Sequence, residues 1–300
     1  MPVDSRNWDE IIKWHNVYND KLIVVRLDSA LAEDVETIRR LGKQIAFLRW
    51  AMNLKIIVVQ GSQSKTEEVP ILDELSSLVA DKAMRELNNR IAEDFRKACK
   101  QRIIPISLSG YDNKMIEIHP LKDMTTPVIS DDLLVGKRIF CSMLEAQNEL
   151  FVPIVYPFCA VPRTESASRR LVSIDADELA LAVAKKMNAH RLIVCSDVLG
   201  ILDTDGKLIS EVFTDEIPEL LNQSKVRSDM AAHLNAAGRA VEAMKEGAVV
   251  VVDVRYPDSL LNELLSDQGG GTLIRRRPMR PAERDFSFVP VKELTRRLTS

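Results

Sequence analysis

The feature that most constrains this chain is a repeated alternation of two kinds of segment. Short runs rich in β-branched residues (Leu22–Val25, Ile56–Val59, Val152–Val155, Arg191–Cys195, Ala248–Val254) are separated by longer amphipathic stretches. Largely apolar runs of four to seven residues suit parallel strands buried on both faces. The intervening stretches carry apolar residues at helical spacing, as in Ile38, Leu41, Ile45 and Leu48 of the segment Glu33–Trp50. Strand–helix–strand alternation predicts an α/β fold with helices on both faces of a mainly parallel sheet.

Further helices are expected over Leu72–Lys100, Asp177–Met187, Ser228–Glu246 and Asp258–Leu265, and further strands over Ile103–Leu108 and Thr272–Ile274. The segments Lys114–His119 and Val135–Phe140 read as hairpin-like pieces. Asp203-Thr204-Asp205-Gly206 reads as an Asp-Gly turn rather than a cation loop. A leading helix, Trp8–Tyr18, places Trp8, Ile11, Ile12 and His15 on one face, which must cover its own body or another subunit. The expected divisions are this helix (1–20), an N-terminal lobe (21–170), a C-terminal lobe (171–276) and a basic tail (277–300).

Composition excludes several function classes. A net charge of −3 gives no whole-molecule signal for nucleic acid. No apolar run reaches the roughly 20 residues of a membrane span, and no signal peptide is recognisable, so a cytoplasmic location without membrane attachment is expected. Four scattered cysteines and four histidines offer no metal-ligand spacing, and no metal is expected. From Arg275 onward eight basic residues face three acidic ones, so that stretch carries about +5; a solvated tail or one folded onto the chain's own acidic surface is expected, with an anionic partner as the alternative.

Three stretches carry a more specific signal: Ser173–Ala180, the run Ala189–Asp203 containing Ser196, Asp197 and Gly200, and Asp258–Ile274 containing Glu263, Gly269 and Gly271. Together with Pro105–Asp112 they resemble, in order and spacing, the amino acid kinase family, and within it the acetylglutamate kinases. The resemblance implies a three-layer αβα sandwich, an acyl substrate on the N-terminal lobe and Mg-ATP on the C-terminal lobe. It implies that Arg26, Asp177 and His233 stand at catalytic positions, and that Ser196, Asp197, Gly200 and Gly61 stand near the nucleotide. It further implies an arginine-type effector site from Trp14, Glu263, Gly269 and Gly271, and assembly into dimers or hexamers through the leading helix and the sheet.

The loops that hold phosphates depart from that pattern. The family's first loop, Lys-x-Gly-Gly, is Arg26-Leu27-Asp28-Ser29 here, and the second, His-Gly-Gly-Gly, is Gln60-Gly61-Ser62-Gln63. The third, Gly-Gly-Met-x-x-Lys, is Ser228-Asp229-Met230-Ala231-Ala232-His233. Phosphoryl transfer relies on cations and close backbone N–H groups. These changes shift the site by roughly three charges toward negative, each contact at 4 Å being worth about 4 kcal/mol at an effective dielectric near 20. The family's Gly-x-Arg-x-Thr-Asp motif, whose arginine clamps the substrate carboxylate, is missing; only Lys65–Asp73 stands in its place.

The expectation is a family member without kinase activity and without a cofactor. It would act as a regulatory or scaffolding subunit, alone as a homo-oligomer or with an active enzyme, and would sense a small amino acid. The alternative is an active Mg-ATP kinase that phosphorylates a carboxylate or phosphate group of a small metabolite, using Arg26 with Lys225 or Arg227 as relocated cations. The kinase-like half of acetylglutamate synthase is also similar. The 24 residues after Arg276 leave no room for that enzyme's acetyltransferase domain, so no acetyl-CoA site is expected. Asp177 is open to two readings, orienting catalytic cations or capping its helix.

Overall fold

The computed structural model describes residues 5–61, 74–100, 102–119, 128–160, 171–227, 230–245, 247–266 and 269–278. Its helices are α1 (Ser5–Tyr18), α2 (Val35–Ala51), α3 (Glu74–Ala98), α4 (Lys137–Leu144), α5 (Ala176–Met187), α6 (Ile217–Asn222), α7 (Ala231–Ala243) and α8 (Ser259–Leu265). Its strands are β1 (Leu22–Leu27), β2 (Lys55–Gln60), β3 (Ile104–Ser109), β4 (Ile116–Ile118), β5 (Leu133–Val135), β6 (Phe151–Tyr156), β7 (Phe158–Ala160), β8 (Leu171–Ser173), β9 (Arg191–Ser196), β10 (Glu211–Phe213), β11 (Ala248–Asp253) and β12 (Thr272–Arg275).

Eight strands form one sheet in the order β10-β12-β11-β9-β1-β2-β6-β3, parallel throughout except where β12 runs against β11. Alternate residues of β1 serve the two faces. Leu22 and Val24 join a core with α5 and α7, while Ile23, Val25 and Leu27 join one with α2, α3 and α8. The strand residues are almost wholly buried on both sides, which is why their sequence shows no alternation. This is the expected three-layer sandwich. A second sheet, β5-β4-β7-β8, packs on the α5 side.

The segment Val135–Phe140 departs from its hairpin reading: Val135 ends β5, paired antiparallel with β4, and Gly136 hands the chain to α4. The Asp-Gly turn is present, with Asp203 Oδ1 accepting the N–H groups of Asp205 and Lys207. At the basic end, Arg275 pairs with Glu211, Arg276 with Glu242, and Arg277 with both Asp215 and Glu216. The remainder of the tail lies outside the described residues. No described helix is long and apolar enough to cross a membrane.

Buried polar groups tie helices to one another. Gln44 of α2 is 4% exposed, and its side-chain oxygen accepts the N–H groups of Leu260 and Leu261. It therefore caps α8, whose own N-cap residue, Asp258, supplies no side-chain bond. Arg49, also buried, donates to the carbonyls of Phe151, Leu54 and Leu144, so one side chain fastens α2 to the starts of β2 and β6.

Candidate functional site

Open α/β sheets present their ligand sites at the carboxyl ends of parallel strands. Here β1, β2, β9 and β11 end side by side, and their last residues carry the groups singled out from the sequence. Pleating turns Arg26 toward α5, on the same face as Leu22 and Val24. Its Nε lies 2.7 Å from Asp177 Oδ1 and its Nη1 lies 3.3 Å from Asp28 Oδ2. One guanidinium, 15% exposed, thus stands between two carboxylates.

The geometry decides between the two readings of Asp177. Asp175 is the cap: its Oδ1 accepts the N–H groups of Asp177 and Glu178, so the Asp177 carboxylate is available to Arg26. Asp28 does two things. It faces Arg26, and its Oδ1 accepts the backbone N–H of Ala30 in the turn that leaves β1. A side-chain carboxylate so occupies a backbone donor and a cation of the kind that phosphate oxygens use.

Gly61 locks the second loop onto the first. Its N–H donates to the Leu27 carbonyl, and a Cβ there would stand 2.6 Å from the Ser29 nitrogen and 2.7 Å from the Leu27 oxygen. Only glycine allows this approach. Gly200 adopts φ +143°, and a Cβ on it would meet Thr272 Oγ1 at 2.5 Å. That hydroxyl accepts the Ile201 N–H and donates to the Ile209 carbonyl, so Gly200 seats the segment after β9 against β12.

Ser196 ends β9, and the Asp197 carbonyl accepts a bond from Arg255. Arg255 also holds the Asp253 carboxylate, only 2% exposed, through Nε and Nη2. Sequence reasoning passed over this pair. An aspartate closing a buried parallel strand, with an arginine two residues on, was the available signal. His233 lies on α7, but its side chain, like all of Asp229, is outside the described residues. Lys225 Nζ sits 3.9 Å from Glu219 at the surface.

Arg26, Asp28, Asp177, Ser196 and Met230 border a cavity between the sheet and α5 and α7, whose interior is apolar. Neither Lys225 nor Arg227 lines it. Its mouth also carries Glu178, paired with Arg239 at 3.0 Å. Around Arg26 the described neighbours are thus two carboxylates, and one of them, Asp28, also takes the Ala30 N–H.

A second constellation joins α1 to α8. Glu263 accepts the N–H groups of Gly270 and Gly271, and Gly269 donates to Ser266 Oγ. Burial raises the Glu263 carboxyl above the usual carboxylate range, opposed by those N–H groups and by Arg191. Trp14 stacks on Tyr18 at 5.8 Å, and the Arg191 guanidinium lies 5.9 Å from the Tyr18 ring. Tyr18, 3% exposed, has its phenol raised by burial and pulled back by Arg191. His190 meets Tyr18 edge-on at 5.5 Å, and burial followed by Arg191 and Lys21 lowers it to about 4. Of the residues expected here, Glu263, Gly269 and Gly271 come together directly, while Trp14 reaches the group through Tyr18. Tyr18 and Arg191 were not singled out from the sequence.

Comparison with known proteins agrees with this frame. The acetylglutamate kinase of Pelagibacter ubique is 27% identical over 290 residues, covering 92% of this chain and 96% of that protein. That of Campylobacter fetus is 26% identical, covering 86% and 93%. Among solved structures, N-acetylglutamate synthase from Neisseria gonorrhoeae, complexed with coenzyme A and L-arginine, superposes with a TM-score of 0.71 at 17% identity, covering 92% of this chain. This chain spans 66% of that synthase. Carbamate kinase from Giardia lamblia bound to AMP-PNP superposes with a TM-score of 0.58 at 14% identity, covering 86% and 99%. The model of the amino acid kinase family matches residues 21–253, and the parallel sheet with Arg26 and Asp177 facing each other at its carboxyl edge lies within that span; the chain belongs to the amino acid kinase family.

Proposed function

We propose that this acetylglutamate-kinase-like chain does not transfer phosphoryl groups and serves as a regulatory or scaffolding subunit in amino-acid metabolism. The observation that carries the reading is the pairing of Arg26 with both Asp28 and Asp177, with the Asp28 carboxylate also on the Ala30 N–H. A cation that stabilises a transferring phosphoryl must turn its charge toward it. Here the Asp28 and Asp177 carboxylates draw that charge toward themselves, which supports the reading. In this reading Mg-ATP is not a ligand of the site.

The Glu263, Arg191 and Tyr18 group supports the regulatory part. It sets a partly buried carboxylate within electrostatic reach of a guanidinium beside an aromatic face, chemistry suited to both ends of an amino acid. The Neisseria gonorrhoeae synthase was solved with L-arginine, and arginine is the first effector to try. Self-association, or association with an active kinase, completes the proposal.

The test is a hydroxamate-trapping assay with acetylglutamate and Mg-ATP, beside a mixing experiment with an active acetylglutamate kinase. The expected results are no acyl phosphate from this chain alone and a changed arginine response of the partner. Turnover by the isolated chain at ordinary kinase rates would overturn the proposal.

A further inference from the structure

The parallel sheet has a second edge, where β1, β2 and β9 begin, at the opposite end of the strands from Arg26. A cavity of about 240 Å³ lies there, between α4 and the end of α5. Lys55 opens β2 level with Leu22, and His190 donates its N–H to the Leu22 carbonyl, so the entries to three neighbouring strands form one wall. Lys137, Cys141 and Leu144 lie on one side of α4 and, with Glu145 just beyond it, form another. The 240 Å³ correspond to about eight waters at the roughly 30 Å³ each occupies in the liquid, room for a small organic molecule.

The charges around this cavity are unevenly matched. Lys55 Nζ lies 2.9 Å from Asp20 Oδ1 and 3.6 Å from Glu145 Oε1, so its charge is met. Lys21 and Lys137 border the same space, and neither forms an ion pair with a described residue. His190 adds a hydrogen-bonding group without a charge. Burial, then Arg191 and Lys21, hold its pKa at about 4, so the imidazole is neutral at pH 7, and the effect of Lys21 places that ammonium near the ring. The His190 Nε2 is buried and has no hydrogen-bond partner. Buried polar atoms are nearly always paired, and an exception at the wall of a cavity marks where a ligand's polar group is wanted. Leu22, Leu144, Met187 and Ala189, all buried, give the remaining surface an apolar character.

We propose that this cavity binds a short aliphatic dicarboxylate, with one carboxylate on Lys21 and His190, the other on Lys137, and the methylene chain over Leu22, Leu144 and Met187. Such a ligand matches the site group by group. Each carboxylate pairs an ammonium that has no other partner, the neutral ring donates its Nε2–H to a carboxylate oxygen, and Lys55 keeps Asp20 and Glu145. An elongated dianion suits two cations that come from different elements, the lead into β1 and the start of α4. A monocarboxylate would leave one ammonium unpaired, and a diamine would meet two of like charge. The site shares no residue with the surroundings of Arg26. It touches the Glu263 group only through His190, whose ring meets Tyr18 edge-on, so its failure would leave the proposed function standing.

The experiment is isothermal titration and thermal denaturation of the full chain with succinate and glutarate at constant ionic strength. Butyrate lacks one carboxylate, putrescine reverses both charges, and inorganic phosphate is a compact anion without the methylene chain. At least one dicarboxylate is expected to raise the melting temperature by several degrees, with butyrate and phosphate at least tenfold weaker and putrescine without effect. Lys21→Ala and Lys137→Ala each remove an exposed ammonium that holds no ion pair, so the fold should stand, and each should weaken binding at least tenfold. Failure of both dicarboxylates to bind, or undiminished binding in either variant, overturns the inference. Phosphate bound as tightly as the dicarboxylates overturns the ligand class assigned to the site.

Discussion

Replacing Asp28 is the sharpest perturbation this structure offers. Asp28 Oδ2 is 3.3 Å from Arg26 Nη1, and Oδ1 takes the Ala30 N–H, so a phosphate oxygen using the same two donors would have to displace it. A unit charge about 4 Å from an anion, at an effective dielectric near 20, is worth about 4 kcal/mol. The Asp28 side chain is 29% exposed, and solvent and salt reduce this to roughly 1.5–2 kcal/mol. Asp28→Asn keeps the shape and removes the charge, so affinity for ADP should rise about tenfold or more. Asp28→Gly also releases the Ala30 N–H and should gain further. Titration calorimetry at low and high salt provides the measurement, and the gain should shrink as salt rises. Micromolar ADP binding by the unaltered chain, left unchanged in both variants, would refute the electrostatic argument.

Four other expectations are open to measurement. Gly61→Ala forces a Cβ into the Ser29 nitrogen and Leu27 oxygen; denaturant unfolding should show a loss of about 1–3 kcal/mol. Thr272→Val removes a hydroxyl bonded to both the Ile201 N–H and the Ile209 carbonyl, and should cost about 1–3 kcal/mol by the same method. His190 is depressed to about 4 by burial, so the unfolded chain binds its proton more readily. Stability should therefore fall as pH drops from about 6.5 to 4, and His190→Gln should flatten that part of the profile. Glu263 has the opposite sign: its raised carboxyl makes the folded chain bind the proton first, so lowering the pH through that range adds stability, a gain that Glu263→Gln should abolish.

Much of the fold was legible because buried parallel strands and amphipathic helices leave strong local patterns. The central strands were located to within one or two residues by their unbroken β-branched runs. What escaped were β7, β8 and β10, each three residues long, and the short helix α6. Segments that brief carry no period, and their conformation is set by the partner they meet. The ending of β5 at Val135 and the start of α4 after Gly136 were missed for the same reason: three residues on either side fit strand and helix equally well.

The candidate site divides along a similar line. That Arg26, Gly61, Ser196 and Asp253 crown adjacent strands follows from chain order once the strands are parallel. Which groups then touch does not. Arg26 and Asp177 are 151 positions apart, and only the packing of α5 on β1 puts their charges at 2.7 Å. Asp175 and Asp177 are both plausible caps by residue type; the turn into α5 selects Asp175, and Asp177 faces Arg26 instead.

The amino-acid order by itself thus determined the layered architecture, the family pattern and the acidic replacement in the first loop, because each depends on local period or residue type. The tertiary structure decided that Asp28 faces Arg26, that Asp177 shares the same guanidinium, and that Tyr18 and Arg191 join Glu263. Ion pairs and cavities are created by helix packing over long sequence separations, and no short-range preference encodes a distance between side chains that meet only when the sheet has formed.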